Sequence, residues 1–477
     1  MPCPFLFSKC KYEKEGIQLI KRSLKQISAM VSAINDITPF ADVVIKGVTI
    51  DTRKIQPGNL FVPFKGEHSD GHKYVEEAIK KGAAAALWQK DVPNPPQGLP
   101  VLLVEDCLVA LQEMARTYRQ ELSVKVVGIT GSNGKTTTKD MTASLLSTQY
   151  KVQKTEGNYN NHLGLPLTVL GLSEDTEIAV LEMGMSGRGE IAFLTKLACP
   201  DAVVITNIGE SHLLDLGSRE GIAEAKLEIL QGLQDGGLAV LHGDEPLLME
   251  RIFQYKGNIN IQTFGRNGTN DIYPKDITQI EQGNSFKINA SETVFELPVL
   301  GTHNILNALA AMLIAHHFSI PFEKMNEGLA NIKLTNMRME LVEGKQGEKI
   351  INDAYNASPT SMMAAIELVS NLQGYNRKIL VLGDMLELGP QEEQYHVQIG
   401  SGLNPEKIDY LFTYGELGGH IAKGAHQALG EDQVFAFKDK SKLIEKLKTY
   451  VDETTLVLVK ASRGMRLEEI VQSLQKK

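Results

Sequence analysis

The sequence is poor in cysteine, and its few cysteines follow no recognisable spacing. The 477 residues include Cys3, Cys10, Cys107 and Cys199, with no C-x-x-C pair and no histidine-rich stretch beside them. This pattern indicates neither a disulfide framework nor a zinc site, and it fits a reducing compartment. We therefore expect a cytoplasmic protein whose stability comes from packing alone.

An excess of positive charge and long apolar runs are also lacking. The formal net charge is -9 and no basic stripe stands out, so nucleic acid is not expected as the main partner. No apolar run reaches the roughly 20 residues of a membrane helix, and the start of the chain lacks the regions of a signal peptide. Anionic ligands must then be bound by local groups and not by overall charge.

The length and the order of the elements predict several domains. A chain of 477 residues is too long for one hydrophobic core. We predict a disordered extension over residues 1–18, then domains over residues 19–122, 123–334 and 335–477. In the second and third domains predicted strands alternate with predicted helices, which favours α/β folds with parallel sheets and ligands at the carboxyl ends of the strands. The first domain is expected to be a small α/β unit.

The most informative stretch covers residues 126–138. An apolar, β-branched run leads into a glycine-containing turn, and a segment with helical apolar spacing follows. The turn consists of Gly131, Ser132, Asn133, Gly134, Lys135, Thr136 and Thr137. Such a loop binds a polyphosphate through backbone N–H groups and the positive helix end, with Lys135 adding charge and Thr136 offering a hydroxyl to Mg²⁺. Its spacing is shorter than G-x-x-x-x-G-K-[ST], so a chance glycine turn is the alternative.

Two candidate metal ligands follow neighbouring predicted strands of the second domain. Glu182 closes the strand at residues 177–182, and His212 lies in the loop after the strand at residues 201–206. Taken singly, each is more simply a strand-end charge or a loop histidine. Together with the phosphate loop, a carboxylate and an imidazole predict a shared divalent cation. Lys226, by its helical periodicity alone, is an ordinary solvated lysine.

Further polar groups lie at element ends elsewhere in the chain. Arg53, just after a predicted strand, could bind an anionic substrate such as a diphosphate, although an ordinary surface charge is the simpler interpretation. Asn304 and Asn307 share a helix face and could offer amides to a base edge or cap the helix start. The third domain has polar clusters at its strand ends but no phosphate loop of its own. We therefore predict two α/β domains facing a shared cleft, with Arg338 at the hinge.

Several motifs together resemble one known family. They are GITGSNGKTTT at residues 128–138, GNYNNHLGLPLT at 157–168, EMGMSGRGEI at 182–191, DAYNASP at 353–359, LGDMLELG at 382–389 and VKASRGM at 459–465. The chain resembles, over nearly its whole length, the ATP-dependent Mur ligases of peptidoglycan synthesis, which use the shorter loop spacing. Asn356 is typical of the family member that attaches D-alanyl-D-alanine, because sister ligases carry a histidine version of that motif.

The resemblance implies a role for individual residues. It implies ATP phosphates on Gly131 to Thr137, adenine on Asn304, ribose or phosphate on Arg338 and Asp353, and two Mg²⁺ ions served by Thr136, Glu182, His212 and a Lys226 carbamylated by CO₂. Catalysis would rest on Lys135, Lys226, His212 and Glu182. Substrate contacts would come from Asp51, Thr52, Arg53, Asn160, Asn161, Arg188, Asn356, Ser358, Lys460 and Ser462. Met337 stands where the family often has glycine.

The implied reaction joins an acid to an amine at the expense of ATP. The γ-phosphoryl group would pass to the terminal carboxylate of UDP-N-acetylmuramoyl-tripeptide, and D-alanyl-D-alanine would displace it. Within the same class, another Mur ligase or a folylpolyglutamate synthetase is the alternative. From a different class, a nucleotide-binding switch that joins nothing is the alternative. We expect a monomer with one substrate per domain.

Overall fold

The computed structural model describes residues 20–66, 69–280 and 283–476. The extension predicted at residues 1–18 lies outside these ranges. The description confirms an α/β architecture with parallel sheets, whereas the domain bounds at residues 122 and 334 stay a prediction.

The first unit is a small parallel sheet with helices around it. Its elements are β1 (Lys21–Ser23), α1 (Leu24–Met30), β2 (Val44–Lys46), β3 (Val48–Thr49), β4 (Leu60–Phe61), α2 (Val75–Lys80), β5 (Ala85–Gln89), β6 (Val101–Val104) and α3 (Cys107–Glu121). Strands β3 to β6 pair in parallel in sequence order, and β1 pairs antiparallel with β2. The single strand expected before Asp51 is split at Gly47, whose φ of 84° breaks the extended backbone.

Helix α3 fastens this unit to the next one. Asp106 caps the helix by accepting hydrogen bonds from the backbone of Leu108 and Val109. Further along, the Tyr118 hydroxyl donates to the Leu172 carbonyl (2.9 Å), and the buried Arg119 guanidinium donates to the Ala198 carbonyl (2.7 Å). Because apolar side chains of both units pack in one continuous core, the first sheet is held against the second.

The second unit is built on a parallel sheet in the order β12-β11-β10-β7-β9-β8. Its elements are β7 (Lys125–Thr130), α4 (Lys135–Leu146), β8 (Val152–Lys154), α5 (Gly164–Leu170), β9 (Ile178–Glu182), α6 (Glu190–Ala198), β10 (Ala202–Ile205), α7 (Leu213–Leu216), α8 (Arg219–Leu227), β11 (Leu238–His242), α9 (Pro246–Ile252) and β12 (Asn260–Phe264). Strand β7 is buried on both faces, which explains its continuous apolar run. Its carboxyl end carries the glycine turn.

An antiparallel sheet and two helices complete the second unit. They are β13 (Pro274–Ile280), β14 (Gly283–Ile288), β15 (Ser291–Leu297), α10 (His303–His317) and α11 (Met325–Ala330). The small sheet was absent from our prediction, which followed the strand–helix alternation. Helix α10 is almost entirely buried and packs on α4, and each fully buried leucine or isoleucine there stabilises the fold by about 1.5–3 kcal/mol.

No single helix among the described residues is both long and apolar enough to cross a membrane. Helix α10 and the segment Phe322–Ala330, taken together, are long and apolar enough by length and composition alone, but the two are bent by 117° relative to each other.

The third unit is a second α/β sheet in the order β16-β17-β21-β18-β19-β20. Its elements are β16 (Glu340–Glu343), β17 (Lys349–Asp353), α12 (Pro359–Asn371), β18 (Arg377–Gly383), α13 (Glu392–Ser401), β19 (Tyr410–Tyr414), α14 (Gly418–Ala425), β20 (Val434–Phe437), α15 (Lys440–Leu447), β21 (Thr455–Lys460) and α16 (Glu468–Leu474). All neighbours pair in parallel except β16, which runs antiparallel to β17. The carboxyl ends of β17, β21 and β18 therefore lie side by side.

Candidate functional site

The turn after β7 has the geometry of a phosphate loop. Gly131 has φ 148° and Gly134 has φ 81°, conformations that favour glycine. Space allows no other residue either, because a Cβ on Gly131 would collide with the Thr206 hydroxyl and one on Gly134 with the Asn307 amide oxygen. Helix α4 begins directly at Lys135, so the backbone N–H groups and the positive helix end point into the turn.

The loop is tied to the segment that follows β10. The Thr206 hydroxyl donates to the Asn133 carbonyl (2.5 Å), and the Asn133 backbone N–H donates to the Asn207 side-chain oxygen (2.9 Å). The Gly209 N–H donates to the Ser132 hydroxyl (2.9 Å). These hydrogen bonds fix the conformation of the loop and its position relative to the segment that carries His212.

Lys135 is bound to its own loop. Its ammonium donates to the Gly131 carbonyl (2.7 Å) and the Ser132 carbonyl (3.3 Å). Burial lowers the pKa of Lys135 to about 8, the Glu182 carboxylate opposes that shift, and the Arg338 charge adds to it. Both hydrogen-bond acceptors of this ammonium are neutral carbonyls, and a phosphate group in the loop would offer it a negatively charged acceptor.

Glu182 is a buried carboxylate, and only one of its two oxygens accepts a hydrogen bond within the described residues. Its side chain lies at the end of β9 and the residue is 2% exposed. Oε1 accepts a hydrogen bond from the Asn160 amide (2.8 Å), whereas Oε2 is buried and has no hydrogen-bond partner among the residues that the structure describes. An unpaired buried carboxylate oxygen is costly, and a divalent cation would satisfy it.

His212 lies at the start of α7 with φ 64°, and its Nδ1 is 2.8 Å from Oε2 of Glu387 in the third unit. The described residues contain no cluster of three His, Cys, Asp or Glu side chains arranged around a metal. This finding leaves the predicted set open, because that set has only Glu182 and His212 of these types. The donors themselves, which are carboxylate, imidazole and the Thr136 hydroxyl, suit Mg²⁺.

Lys226 is not a solvated lysine. It lies on α8, is 1% exposed, and burial lowers its pKa well below the ordinary value, with the Lys135 charge adding to the effect. Within the described ranges it has neither an ion pair nor a hydrogen bond of its side chain. The uncharged amine is the form that adds CO₂, and a lowered pKa raises its share, so the environment fits the carbamate that the resemblance implies.

Asn304 and Asn307 are used by the fold itself. The Asn304 amide donates to the Leu300 carbonyl (2.7 Å), and the Asn307 amide donates to the Asn304 side-chain oxygen (2.8 Å). The Asn307 oxygen also accepts from the Thr138 hydroxyl (3.3 Å). Both residues thus join the start of α10 to α4, and adenine contact by Asn304 stays a prediction.

The third unit brings its strand ends against the loop. Lys460, at the end of β21, forms a buried ion pair with Asp353 at the end of β17 (2.5 Å). The Ser358 hydroxyl, which caps α12, is 3.2 Å from the Asn133 side-chain oxygen of the phosphate loop. The predicted cleft between the two sheets is therefore lined by polar groups from both.

Arg338 reaches across the hinge. Its guanidinium donates to the Thr136 hydroxyl at 3.5 Å and lies 4.1 Å from the ring centre of Tyr355. Its Nε is buried and finds no hydrogen-bond partner in the described part of the chain. Met337 and Met339 on either side have φ of 61° and 51°. The glycine that the family often has before this arginine would relieve the first of these strains.

The other predicted substrate residues make contacts with neighbouring residues of the chain. Asp51 and Arg53 pair with each other beside Thr52, and Arg53 is largely exposed. Arg188 pairs with Glu224. The Asn161 side-chain oxygen accepts from the backbone N–H groups of Leu163 and Gly164 just before and at the start of α5. The Asn356 carbonyl accepts from Lys460, and the Ser462 hydroxyl accepts from the Leu386 backbone. Their substrate roles stay predictions.

Three residues of this region were missed by the sequence reasoning. Tyr355 stacks under Arg338, and Glu387 pairs with His212. His303, beside Asn304, has its pKa lowered to about 4 by burial, which outweighs the opposing Asp353 charge. The motifs at residues 353–359 and 382–389 contained Tyr355 and Glu387, but their partners Arg338 and His212 lie outside those motifs, so only the folded structure reveals the contacts.

The comparisons with known proteins agree with one family throughout. Residues 44–119 match the model described as Mur ligase family, catalytic domain, residues 129–315 match Mur ligase middle domain, and residues 337–463 match Mur ligase, glutamate ligase domain. The UDP-N-acetylmuramoyl-tripeptide–D-alanyl-D-alanine ligase of Bacillus subtilis is 52% identical over 96% of this chain and 99% of its own length.

Solved structures agree with this relationship. A crystal structure of MurF from Acinetobacter baumannii superposes with a TM-score of 0.86 at 28% identity, covering 97% of this chain and 100% of the other. MurF from Thermotoga maritima, solved in complex with ADP, gives a TM-score of 0.78 at 31% identity over 90% of this chain and 96% of the other.

Proposed function

The chain belongs to the Mur ligase family, and from that premise we propose that it joins D-alanyl-D-alanine to UDP-N-acetylmuramoyl-tripeptide with conversion of ATP to ADP and phosphate. The relative from Bacillus subtilis, whose name describes this reaction, aligns along 99% of its own length. The reaction belongs to peptidoglycan precursor synthesis, and we place it in the cytoplasm, where ATP is available. A single chain carries every residue named below, so the proposed working unit is a monomer.

One observation carries the proposal. A glycine loop shaped for phosphate lies against a second sheet whose strand ends present Asp353, Lys460 and Ser358, and Ser358 contacts the loop directly. A nucleotide-binding switch needs only the loop. A second α/β unit with charged strand ends in contact with that loop supports a ligase, because a ligase must hold an acid and an amine beside the triphosphate.

The roles of the protein groups follow from their positions. Backbone N–H groups of Gly131 to Thr137 would bind the ATP phosphates, and Lys135 would move from its loop carbonyls to the γ-phosphate. Arg338, with a buried and unpaired Nε, would approach the nucleotide from the hinge. Asp353 and Asn304 would hold the nucleoside end, and Asp51, Thr52 and Arg53 would hold the uridine nucleotide on the first unit.

Mg²⁺ has a suitable set of oxygen and nitrogen donors here. Thr136, Glu182 and His212 would hold one ion, and a Lys226 carbamate would supply anionic oxygens for a second. When bound, the cations neutralise the charge of the phosphates. The unpaired Oε2 of Glu182 and the partnerless buried amine of Lys226 are the features that favour this arrangement.

The proposed reaction has two steps, which are phosphoryl transfer to the acceptor carboxylate and then formation of the amide. A carboxylate oxygen of the tripeptide attacks the γ-phosphorus, the bond to the β-bridging oxygen breaks, and ADP leaves. The amine of D-alanyl-D-alanine then attacks the activated carbonyl carbon, loses a proton, and expels phosphate. Closure of the third sheet over the loop would keep water from hydrolysing the activated acid.

Measurement of ADP release tests this proposal. Sustained release is expected only when the UDP-linked tripeptide and D-alanyl-D-alanine are both present, since each turnover consumes both. Unchanged release when either is omitted would favour the switch. Replacement of D-alanyl-D-alanine by glutamate tests the folylpolyglutamate alternative, and ADP release with glutamate alone as the amine would contradict the proposed acceptor.

A further inference from the structure

We propose that Glu387 is a positioning residue that orients His212 toward a divalent cation, so that this cation site is complete only when the second and third units are in contact. The inference rests on the proposed function, because the cation would serve the ATP site. Glu387 itself touches neither the nucleotide loop nor the predicted cation.

The contact selects one form of the imidazole. Oε2 of Glu387 lies 2.8 Å from Nδ1 of His212, and although the contact is too bent to be a regular hydrogen bond, the carboxylate charge beside Nδ1 favours the imidazole that carries its hydrogen on that nitrogen. The lone pair is then on Nε2, which is free to bind a cation. The side chains of His212 and Glu387 are 23% and 55% exposed, and an ion pair so open to water contributes little to stability. Orientation is therefore the better explanation for the pair.

The backbone is strained at both partners. His212 has φ 64° and Glu387 has φ 66°, a region that side chains other than glycine rarely occupy. A second bond joins the same two segments, because the Leu214 backbone N–H donates to the Glu387 carbonyl (3.2 Å). Two strained residues facing each other across a boundary indicate an arrangement that the surrounding structure imposes.

Glu387 lies on a segment that the third unit holds firmly. The Met385 N–H donates to Nε2 of the buried His396 (2.9 Å), and the Leu386 N–H donates to the Ser462 hydroxyl (2.9 Å). Asp384, at the start of the same segment, accepts from the Gly418 N–H (2.7 Å). The carboxylate is thus presented in a fixed place relative to the third sheet.

The loop that carries His212 meets the third unit at another point as well. Thr360 on α12 donates through its hydroxyl to the Glu210 carboxylate (2.7 Å). Separation of the two sheets would break this bond together with the Glu387 contact, and the His212 ring would lose its fixed orientation. The cation would then be held weakly while the cleft is open, so ATP would be spared when no acceptor is enclosed.

Manganese binding to the full chain in the presence of ADP tests the inference. Mn²⁺ is titrated calorimetrically and by its electron paramagnetic resonance signal, with His212→Ala as the reference for loss of the ligand. We expect Glu387→Ala to weaken Mn²⁺ binding about 10-fold, the low end of the effect of removing a partner of a metal-bound histidine. Glu387→Gln should stay within about twofold of the unchanged protein, because its amide oxygen takes the same place beside Nδ1 and carries partial negative charge.

Thr360→Ala is the matched control, since it removes a contact between the same units without touching His212. It should leave Mn²⁺ affinity unchanged. Equal Mn²⁺ affinity in Glu387→Ala and the unchanged protein would overturn the inference, and so would a loss in Glu387→Gln as large as in Glu387→Ala. Because Mn²⁺ binding with ADP needs neither peptide substrate, failure of ligation alone would contradict the proposed function and leave this result intact.

Discussion

At the scale of single residues, Lys226 shows most clearly what burial does to chemistry. Periodicity makes it a solvated helix lysine, yet the structure buries it, and the repelling charge of Lys135 adds to the effect of burial. Burying a charged amine is costly, so the neutral form is favoured, and this form reacts with CO₂. Sequence alone could not reveal this, because burial depends on α8 packing against the sheet.

Lys226→Ala should abolish ligation, since the anionic oxygens of the carbamate are lost with the side chain. Added formate or acetate should restore part of the rate by supplying a carboxylate in the vacated space. ADP release with both substrates measures this. Lys135→Ala is the control, because it removes a cation and carboxylates should give no rescue. Full activity of Lys226→Ala without additives would contradict the role.

His303 should make stability depend on pH over a defined window. Its folded pKa is about 4, whereas the unfolded histidine titrates near 6.5. Between these values the unfolded chain binds the extra proton, so stability present above pH 6.5 is lost as the pH falls toward 4. At 1.36 kcal/mol per pKa unit, the loss is at most about 3.4 kcal/mol.

His303→Gln should flatten this part of the stability profile, as measured by urea unfolding between pH 4 and 7. His426→Gln is the control, because that side chain is exposed on the surface. If the profile of His303→Gln runs parallel to that of the unchanged protein, the buried neutral imidazole is not responsible.

At the scale of elements, the segment that connects the second and third units is fixed at its start by hydrogen bonds to α4. The fully buried Asp140 carboxylate on α4 accepts hydrogen bonds from both the backbone N–H (2.8 Å) and the hydroxyl (2.9 Å) of Thr335. Two residues later the chain enters the strained stretch Met337 to Met339 around Arg338. We therefore expect any motion between the sheets to be confined to the few residues after Thr335.

Thr335→Val should destabilise the protein by about 1–2 kcal/mol, because it removes a hydrogen bond to a charged acceptor. Backbone amides of residues 333–340 should exchange with deuterium faster. Thr148→Val, which removes a hydroxyl bond to the Leu145 carbonyl at the other end of α4, serves as the control and should leave exchange at the hinge unchanged. If the amides of residues 333–340 exchange at the same rate in Thr335→Val as in the unchanged protein, Thr335 does not fix this segment.

Elements with one dominant pattern could be predicted, and those decided by tertiary contacts could not. Strand β7 and its glycine turn were evident, because a buried parallel strand is continuously apolar and the turn needs glycine at Gly131 and Gly134. The antiparallel sheet β13 to β15 was missed, because β13 is mostly exposed and has a weak apolar pattern. The cross-unit pair of His212 with Glu387 leaves no trace in either local sequence.

At the scale of the whole molecule, the proposed function depends on two sheets whose carboxyl edges face each other. One edge supplies the phosphate loop and Glu182, the other supplies Asp353, Lys460 and Ser358, and Arg338 spans the hinge between them. The polar clusters at the ends of predicted strands predicted two α/β domains that face a shared cleft. These clusters could not predict how the units touch, since contacts such as Ser358 with Asn133 depend on their relative placement.

The central claim is that the γ-phosphoryl group passes to the terminal carboxylate of the acceptor before the amide forms. The most direct measurement uses acceptor tripeptide labelled with ¹⁸O in that carboxylate and mass spectrometry of the phosphate released during ligation. The account predicts one ¹⁸O atom in each phosphate, because the carboxylate oxygen that attacks phosphorus leaves with it. Phosphate free of ¹⁸O, as attack by water on ATP would produce, would contradict it.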